Sequence, residues 1–508
     1  FKKFHGFHLL ESHHNEQVKR LNERLPQYLK STAIKAAVVI LATLLIWNLP
    51  STSFGIEGLT VVQQRIIAIF AFATLAWVLE VVPAWATSVT VIGLLLIFTS
   101  DSGFILMCDP EKVGTLLSYK SVMATFADPV IMLFIGGFIL AIAAGKTGID
   151  AHLAKVLLKP FGSKSENVLL GFLLITGLFS MFVSNTATAA MMLTFLAPVF
   201  KQLPPEGKGR MAMALSIPVA ANLGGMGTPI GTPPNTIALK YLNDPEGLNL
   251  GIGFGEWMMF MFPLVVVLLL LSWFIIKKLY PFTQKTIELK IEGELKHNFK
   301  TKVVIVTFIL TVALWLLDSV SGINSYTVAL VPFMIFSLTG VIDRRDLEEI
   351  NWSVIWMVAG GFALGYALNG SGLAKQAVSS IPFGDFSPLV ILVLACLICY
   401  ALSNFISNSA TAALLIPILI VVAEGMADPA AANNAAFVAM GGTQAMIIFI
   451  AVCASIAMLF PISTPPNAIA ASTGLVETKD MAKIGIIIGV VGFIFGFFWL
   501  TKIFPFAQ

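Results

Sequence analysis

Charge is what this sequence has least of. Of its 508 residues, 12% are Asp, Glu, Lys or Arg, about half the share of an ordinary soluble domain. The deficit is concentrated. Residues 167–200, 211–239, 386–423 and 429–476 contain no Asp, Glu, Lys, Arg or His at all. Such segments offer no general acid, no general base and no proton relay, which counts against an intramembrane hydrolase or protease. The net charge of +3 is small, and nothing in its placement points to nucleic acid. Four of the six histidines (His5, His8, His13, His14) crowd into the first 32 residues without a closed set of metal ligands. That stretch reads as a basic, amphipathic, surface-lying cytoplasmic segment. Cysteine is scarce too. Cys396 and Cys399 form a C-x-x-C, but inside the apolar run LVLACLICYAL, where two small helix residues are a simpler reading than redox or metal chemistry. Cys108 and Cys453 carry no pattern.

What fills the chain instead is apolar: 57% of it. Apolar runs recur along nearly the whole length, which predicts an all-α, polytopic membrane protein with about 11 transmembrane helices. Candidate spans fall at 33–49, two within 63–99 divided near Pro83, 122–145, 257–276, 303–317, 325–341, 353–370 and 484–500. Runs 167–200 and 386–423 are too long for single spans. Runs 211–239 and 429–476 are interrupted by Gly and Pro.

The two halves repeat. IGGF at 135–138 matches AGGF at 359–362, SNTATAA at 184–190 matches SNSATAA at 407–413, and GTPPN at 231–235 matches STPPN at 463–467. Three ordered matches imply an internal duplication. Lys and Arg gather at 1–35, 146–164, 201–210, 277–302 and Arg344-Arg345, which the positive-inside rule places in the cytoplasm. Both ends of run 167–200 are then inside and both ends of run 386–423 outside. Each run is expected to be a re-entrant hairpin, the two approaching from opposite faces, as in an inverted-repeat transporter.

A single Thr-Pro-Pro is often no more than a kink. Two copies, each following a Ser-Asn run in mirrored halves, predict unwound joints between half-helices, because Pro lacks an N–H and Gly permits turns. Irregular backbone at membrane depth is tolerated where it lines a cavity or is buried in protein. Ser and Thr are common at membrane helix interfaces. Asn is costlier in hydrocarbon unless partnered, so the duplicated asparagines argue for a polar site at the hairpin tips. A neutral cage of amides, hydroxyls, carbonyls and helix ends can hold an anion together with hard cations, and sodium suits oxygen ligands of this kind. Glu80 and Asp128, near segment ends, are expected to make helix-end or inter-helix hydrogen bonds, with gating as the alternative.

These motifs and their order resemble the divalent anion/sodium symporter family, the INDY-type di- and tricarboxylate transporters, over nearly the whole chain after residue 33. The resemblance implies a homodimer whose protomers each carry a scaffold and a mobile transport domain working as an elevator. It divides the chain into a cytoplasmic segment (1–32), scaffold helices (33–165), a first transport half (166–281), a cytoplasmic linker (282–302), further scaffold helices (303–380) and a second transport half (381–508). It implies that Ser184, Asn185, Thr186, Ser407, Asn408 and Ser409 contact substrate carboxylates, with Thr232, Pro233, Thr464 and Pro465 closing the other side. It places one sodium ion near Ser180, Ser184, Asn185 and the Gly231 carbonyl, and a second near Ser403, Ile406, Asn408 and the Ser463 carbonyl. Ser409 departs from the family's usual Thr, keeping the hydroxyl and losing a methyl.

The reading is therefore a sodium-coupled symporter of C4-dicarboxylates such as succinate, malate or fumarate, not an enzyme. It would lie among lipid in the plasma (inner) membrane with its N-terminus cytoplasmic. A sodium-independent dicarboxylate exchanger, a sulfate or citrate transporter of the same family, and an anion channel are the alternatives.

Overall fold

The computed structural model describes residues 32–244, 247–289, 295, 298–380 and 386–503. The basic N-terminal segment with His5, His8, His13 and His14, and residues 290–294, 296 and 297 of the linker, lie outside the described residues. Among the described residues the chain is helical, and its β pairing consists of the isolated bridges Ser100–Leu117 and Lys164–Thr286. Seven of the described helices are long and apolar enough to cross a membrane.

The first group of helices is α1 (Thr32–Asn48), α2 (Val61–Val78), α3 (Ala84–Thr99) and α4 (Pro129–Thr147). Their ends follow local rules. A capping box at α2 pairs Thr60 Oγ1 with the Gln63 N–H and Gln63 Oε1 with the Thr60 N–H. Asp128 caps α4 with Pro129 in the first turn, and Gly148 closes it in a left-handed conformation. A short amphipathic helix, α5 (Ile149–Leu158), follows.

Next come α6 (Ser165–Ser180), α7 (Asn185–Gln202), α8 (Gly209–Gly225), α9 (Pro233–Leu242) and α10 (Phe254–Leu279). The second half runs α11 (Phe299–Leu316), α12 (Ser325–Leu338), α13 (Trp352–Gly370), α14 (Leu373–Ser380), α15 (Pro388–Ser403), α16 (Asn408–Ala427), α17 (Gly442–Ser455), α18 (Pro465–Ser472) and α19 (Thr478–Phe498). The long runs are helical hairpins, α6–α7 and α15–α16, as expected. The Gly/Pro-interrupted runs break after Gly225 and after Ser455. The run from 429 is more broken than its composition suggests. A short helix at Asn434–Val438 ends before Gly441 and Gly442, both at positive φ, and α17 starts only there. α5 and α14 lie outside the candidate spans. Both are single short helices placed between a Gly-Gly helix and its hairpin.

Hydrogen bonds fix where the hairpins open. The linker crosses both ends of the first: the Ser165 N–H donates to Lys285 O at 3.0 Å, and Gln202 exchanges two bonds with the backbone of Glu288. The base of the second is closed by Asn433 Nδ2 donating to Phe386 O at 2.7 Å. Glu424, in the last turn of α16, lies within electrostatic reach of Asp244, just beyond α9. The 26-residue α10 returns the chain from that end to the linker. The two hairpins therefore open toward opposite ends of the molecule.

The Gly-Gly motifs do the same work in both halves. A Cβ on Gly136 would lie 2.3 Å from Ala329 O of α12, and a Cβ on Gly360 would lie 2.4 Å from Ser88 Cβ of α3. Glycine is what lets α4 and α13 sit against their neighbours at backbone distance.

Candidate substrate and cation site

The hairpin tips are built from serine caps. Ser184 Oγ accepts the Ala187 N–H at 3.3 Å, and Ser407 Oγ accepts the Ala410 N–H at 3.2 Å. Each serine thus ends a tip and starts the returning helix, α7 or α16. The first N–H groups of those helices have no intrahelical partner, which leaves two positive helix ends at the tips.

Behind each cap lies a repeated contact. Ser180 Oγ donates to Ala221 O at 2.7 Å and lies 2.5 Å from Asn185 Oδ1. Ser403 Oγ donates to Ala454 O at 2.8 Å and lies 2.8 Å from Asn408 Oδ1. In the first half the set is larger, because the inward-facing atom of the Asn185 amide is also 3.1 Å from both Gly231 O and Ala221 O. With the amide nitrogen turned inward, its two hydrogens face three acceptors, Gly231 O, Ala221 O and Ser180 Oγ. With the oxygen inward it would face acceptors alone; in either orientation Ser180 Oγ, Gly231 O and Ala221 O gather around the amide, and oxygens are the ligands that hard cations take. Gly225 makes room: a Cβ there would stand 2.6 Å from Asn185 Oδ1 and 3.0 Å from Gly231 O.

The joints are held by the asparagines that end the two TPPN motifs, whose role the sequence pattern alone does not disclose. Asn235 Nδ2 donates to Gly225 O at 3.0 Å and Thr228 O at 2.8 Å. Asn467 Nδ2 donates to Met458 O at 2.8 Å and Phe460 O at 3.0 Å. These bonds satisfy carbonyls that the broken helices release. Thr228 adds a bond from its hydroxyl to Met181 O and accepts the Gly231 N–H at 3.1 Å. In the second half Ser463 takes that place. It donates to Asn404 O at 2.8 Å and accepts the Phe460 N–H at 3.0 Å. The Ser463 side chain therefore works inside the joint. Asn404, which was missed, stands one residue after Ser403 in a Leu-Ser-Asn run that repeats the Ser-Asn pattern.

The remaining expected residues divide by exposure. Thr232 and Thr464 are both 3% exposed, and Ile406 is buried. Pro233 is half-buried and Pro465 exposed. Thr186 is exposed whereas Ser409 is 9% exposed, so the two halves do not present equivalent hydroxyls. Asp128 caps α4 through the Val130 N–H at 2.9 Å and pairs with Lys240 of α9 at 3.0 Å. It thus makes the helix-end and inter-helix contacts expected of it. Glu80 is exposed, with a left-handed backbone. A cavity of about 1010 Å³ lies beside Asp128 and Lys240 and is lined by none of the tip residues.

Comparison with known proteins fits this architecture. A citrate transporter family model, CitMHS, matches residues 74–442. The sodium-dependent dicarboxylate transporter SdcS of Staphylococcus saprophyticus is 29% identical over 458 residues, covering 83% of this chain and 82% of that protein. SdcS of Staphylococcus aureus is 28% identical over 464 residues, covering 84% and 83%. Among solved structures, the YdaH transporter of Alcanivorax borkumensis shares the fold at a TM-score of 0.55 and 13% identity, covering 77% of this chain and 89% of that one. MtrF of Neisseria gonorrhoeae does so at 0.51 and 13%, covering 84% and 95%. With well over half of its length matched by the family model, this multi-pass membrane protein belongs to the citrate transporter family, in keeping with the divalent anion/sodium symporter resemblance of its motifs.

Proposed function

We propose that this protein is a secondary active transporter that carries C4-dicarboxylates such as succinate, malate and fumarate, driven by sodium ions bound at the two Ser-Asn tips. The observation that carries the reading is the oxygen set around Asn185, echoed by Ser403, Asn408 and Ala454 O in the second half. Each set lies beside a serine-capped helix end. The arrangement contains no Arg or Lys to neutralise a dianion, so the compensating charge must arrive with the substrate. A sodium ion about 4 Å from a carboxylate contributes ~4 kcal/mol at an effective dielectric of about 20. A neutral hydrogen bond contributes roughly 1 kcal/mol. The cations, more than the hydroxyls, would set affinity, and substrate binding would depend steeply on sodium. The names of the Staphylococcus relatives support this reading.

In the same reading Ser184, Asn185, Thr186, Ser407, Asn408 and Ser409 face the carboxylates, with Thr232, Pro233, Thr464 and Pro465 opposite. Ser180, Ser184, Asn185 and the Gly231 carbonyl hold one ion, and Ser403, Ile406, Asn408 and the Ser463 carbonyl hold the other. The protein works as a homodimer by an elevator movement of residues 166–281 and 381–508 against 33–165 and 303–380. It lies in the plasma (inner) membrane with a cytoplasmic N-terminus. The name of the matching family model favours citrate as the second candidate substrate.

The test is uptake into proteoliposomes with a panel of succinate, malate, fumarate, citrate and sulfate, with and without an inward sodium gradient. Sodium-driven, concentrative succinate uptake is expected. Uptake driven solely by internal dicarboxylate would replace symport by exchange, and passive flux that never exceeds equilibrium would replace it by a channel.

A further inference from the structure

One polar side chain at the centre of the molecule belongs to neither hairpin tip. Asn222 lies in α8, 1% exposed, directly after Ala221, whose carbonyl belongs to the oxygen set around Asn185. Its own amide reaches into the other half. Asn222 Nδ2 donates to Thr464 Oγ1 at 3.1 Å and to Asn467 Oδ1 at 3.3 Å. Two adjacent residues of one helix therefore touch the oxygen set around Asn185 and the second joint.

The amide orientation follows from its neighbours. Asn467 has committed its nitrogen to Met458 O and Phe460 O, so it presents its oxygen to Asn222, which must present nitrogen in return. Thr464 Oγ1 then accepts twice, from Asn222 Nδ2 and from the Asn467 N–H at 3.3 Å. A hydroxyl has two acceptor positions and one proton. With both positions filled, Thr464 has its proton to give, which is what a carboxylate requires. Asn222 Oδ1 is buried without a protein partner. That cost is unusual for a residue kept only for packing.

The mirrored half lacks this device. There the residue after Ala454 is Ser455, whose hydroxyl donates back to Ala451 O of its own helix at 2.9 Å. The Thr232 side chain makes no capping bond at α9. The connection runs one way, from the first set to the second joint.

We propose that Asn222 is a positioning residue that couples the first cation site to the second joint and holds Thr464 as a hydroxyl donor to the substrate carboxylate. The proposal rests on the reading of the tips as a sodium and dicarboxylate site. A bound ion orders Ser180, whose hydroxyl holds the Ala221 carbonyl and so the backbone that carries Asn222, and Asn222 fixes Thr464.

The test is the succinate Kd of the purified full-length protein at low and at saturating sodium. The ratio of the two is the coupling factor. Asn222→Ala is expected to shrink that factor by about tenfold, while Ser455→Ala leaves it unchanged. Asn222→Ser keeps a short donor and should give an intermediate factor, and it serves if the Ala variant does not fold. A coupling factor for Asn222→Ala, or for Asn222→Ser in that case, equal to the wild type's overturns the proposal while leaving the site reading intact. Wild-type protein whose succinate affinity ignores sodium overturns both.

Discussion

At the scale of single residues, the proposed site is made of neutral groups. Asn185 and Asn408 are the tip residues whose loss removes the most, because each amide faces a serine hydroxyl and the first also faces two backbone carbonyls. Asn185→Ala leaves the Gly231 and Ala221 carbonyls without the group that joins them. Under the proposed reading this removes one ligand of a hard-cation site together with its hydrogen-bond partner, and it is expected to cost sodium-driven succinate uptake at least about a hundredfold. Asn408→Ala should do the same. Both variants should keep the wild-type elution volume, because helices α7 and α16 retain their serine caps. Measured initial rates in proteoliposomes, normalised to monodisperse protein, check this. Near wild-type uptake in both variants would remove the tips from the mechanism.

At the scale of helices, the duplicated glycines make a sharper stability test than the site does. Gly360 packs against Ser88, where a Cβ would meet the Ser88 side chain at 2.4 Å, whereas a Cβ on Gly93 in α3 meets nothing within 4 Å. Gly360→Ala should lower the Tm of the purified protein, with overpacking costing about 1–3 kcal/mol. Gly93→Ala should raise it, by up to ~1 kcal/mol of helix propensity. Opposite signs from one chemical change in two packed helices would show that approach distance, not helix propensity, selects glycine in AGGF. The same elements show what the sequence could and could not say. Hairpins and joints were legible because Ser-Asn, Thr-Pro-Pro and the distribution of Lys and Arg are local or countable signals. α5 and α14 were not, since at 10 and 8 residues they are too short for periodicity to separate from a polar loop. Asn222 was illegible for a different reason. Its meaning depends on Thr464, 242 positions away, and one isolated Asn in an apolar helix carries no pattern. Asn235 and Asn467 stood in plain view within TPPN, yet their work of binding released carbonyls appears only once the backbone is seen to break.

At the scale of the whole molecule, the halves are interlocked. The short helix after each joint packs on the opposite half: α9 on α16 and α17, α18 on α7 and α8. The four elements of the site therefore pack on one another across the halves, and under the elevator reading they move as one body at a border with α4 and α13. That border is where α9 ends. Lys240 pairs with Asp128 at 3.0 Å, with side chains 24% and 11% exposed, and lies 5.8 Å from the Phe362 ring of α13. Tyr241 stacks edge-on against the same ring. The cavity of about 1010 Å³ opens beside these contacts and is lined from both sides of the border, by Asp128 and Asn324 on one and Lys240 and Glu256 on the other. Under the elevator reading the ion pair holds the present conformation. A partly buried pair of this kind is worth about 1–2 kcal/mol, enough to shift a balanced two-state equilibrium roughly tenfold. Lys240→Gln should deplete this conformation. A thiol at the cavity wall, Glu256→Cys in a background without Cys108, should then react several-fold more slowly with a maleimide than it does with Lys240 in place. Labelling indifferent to Lys240 would mean that α4 and α9 travel together, and the moving border would have to be drawn elsewhere.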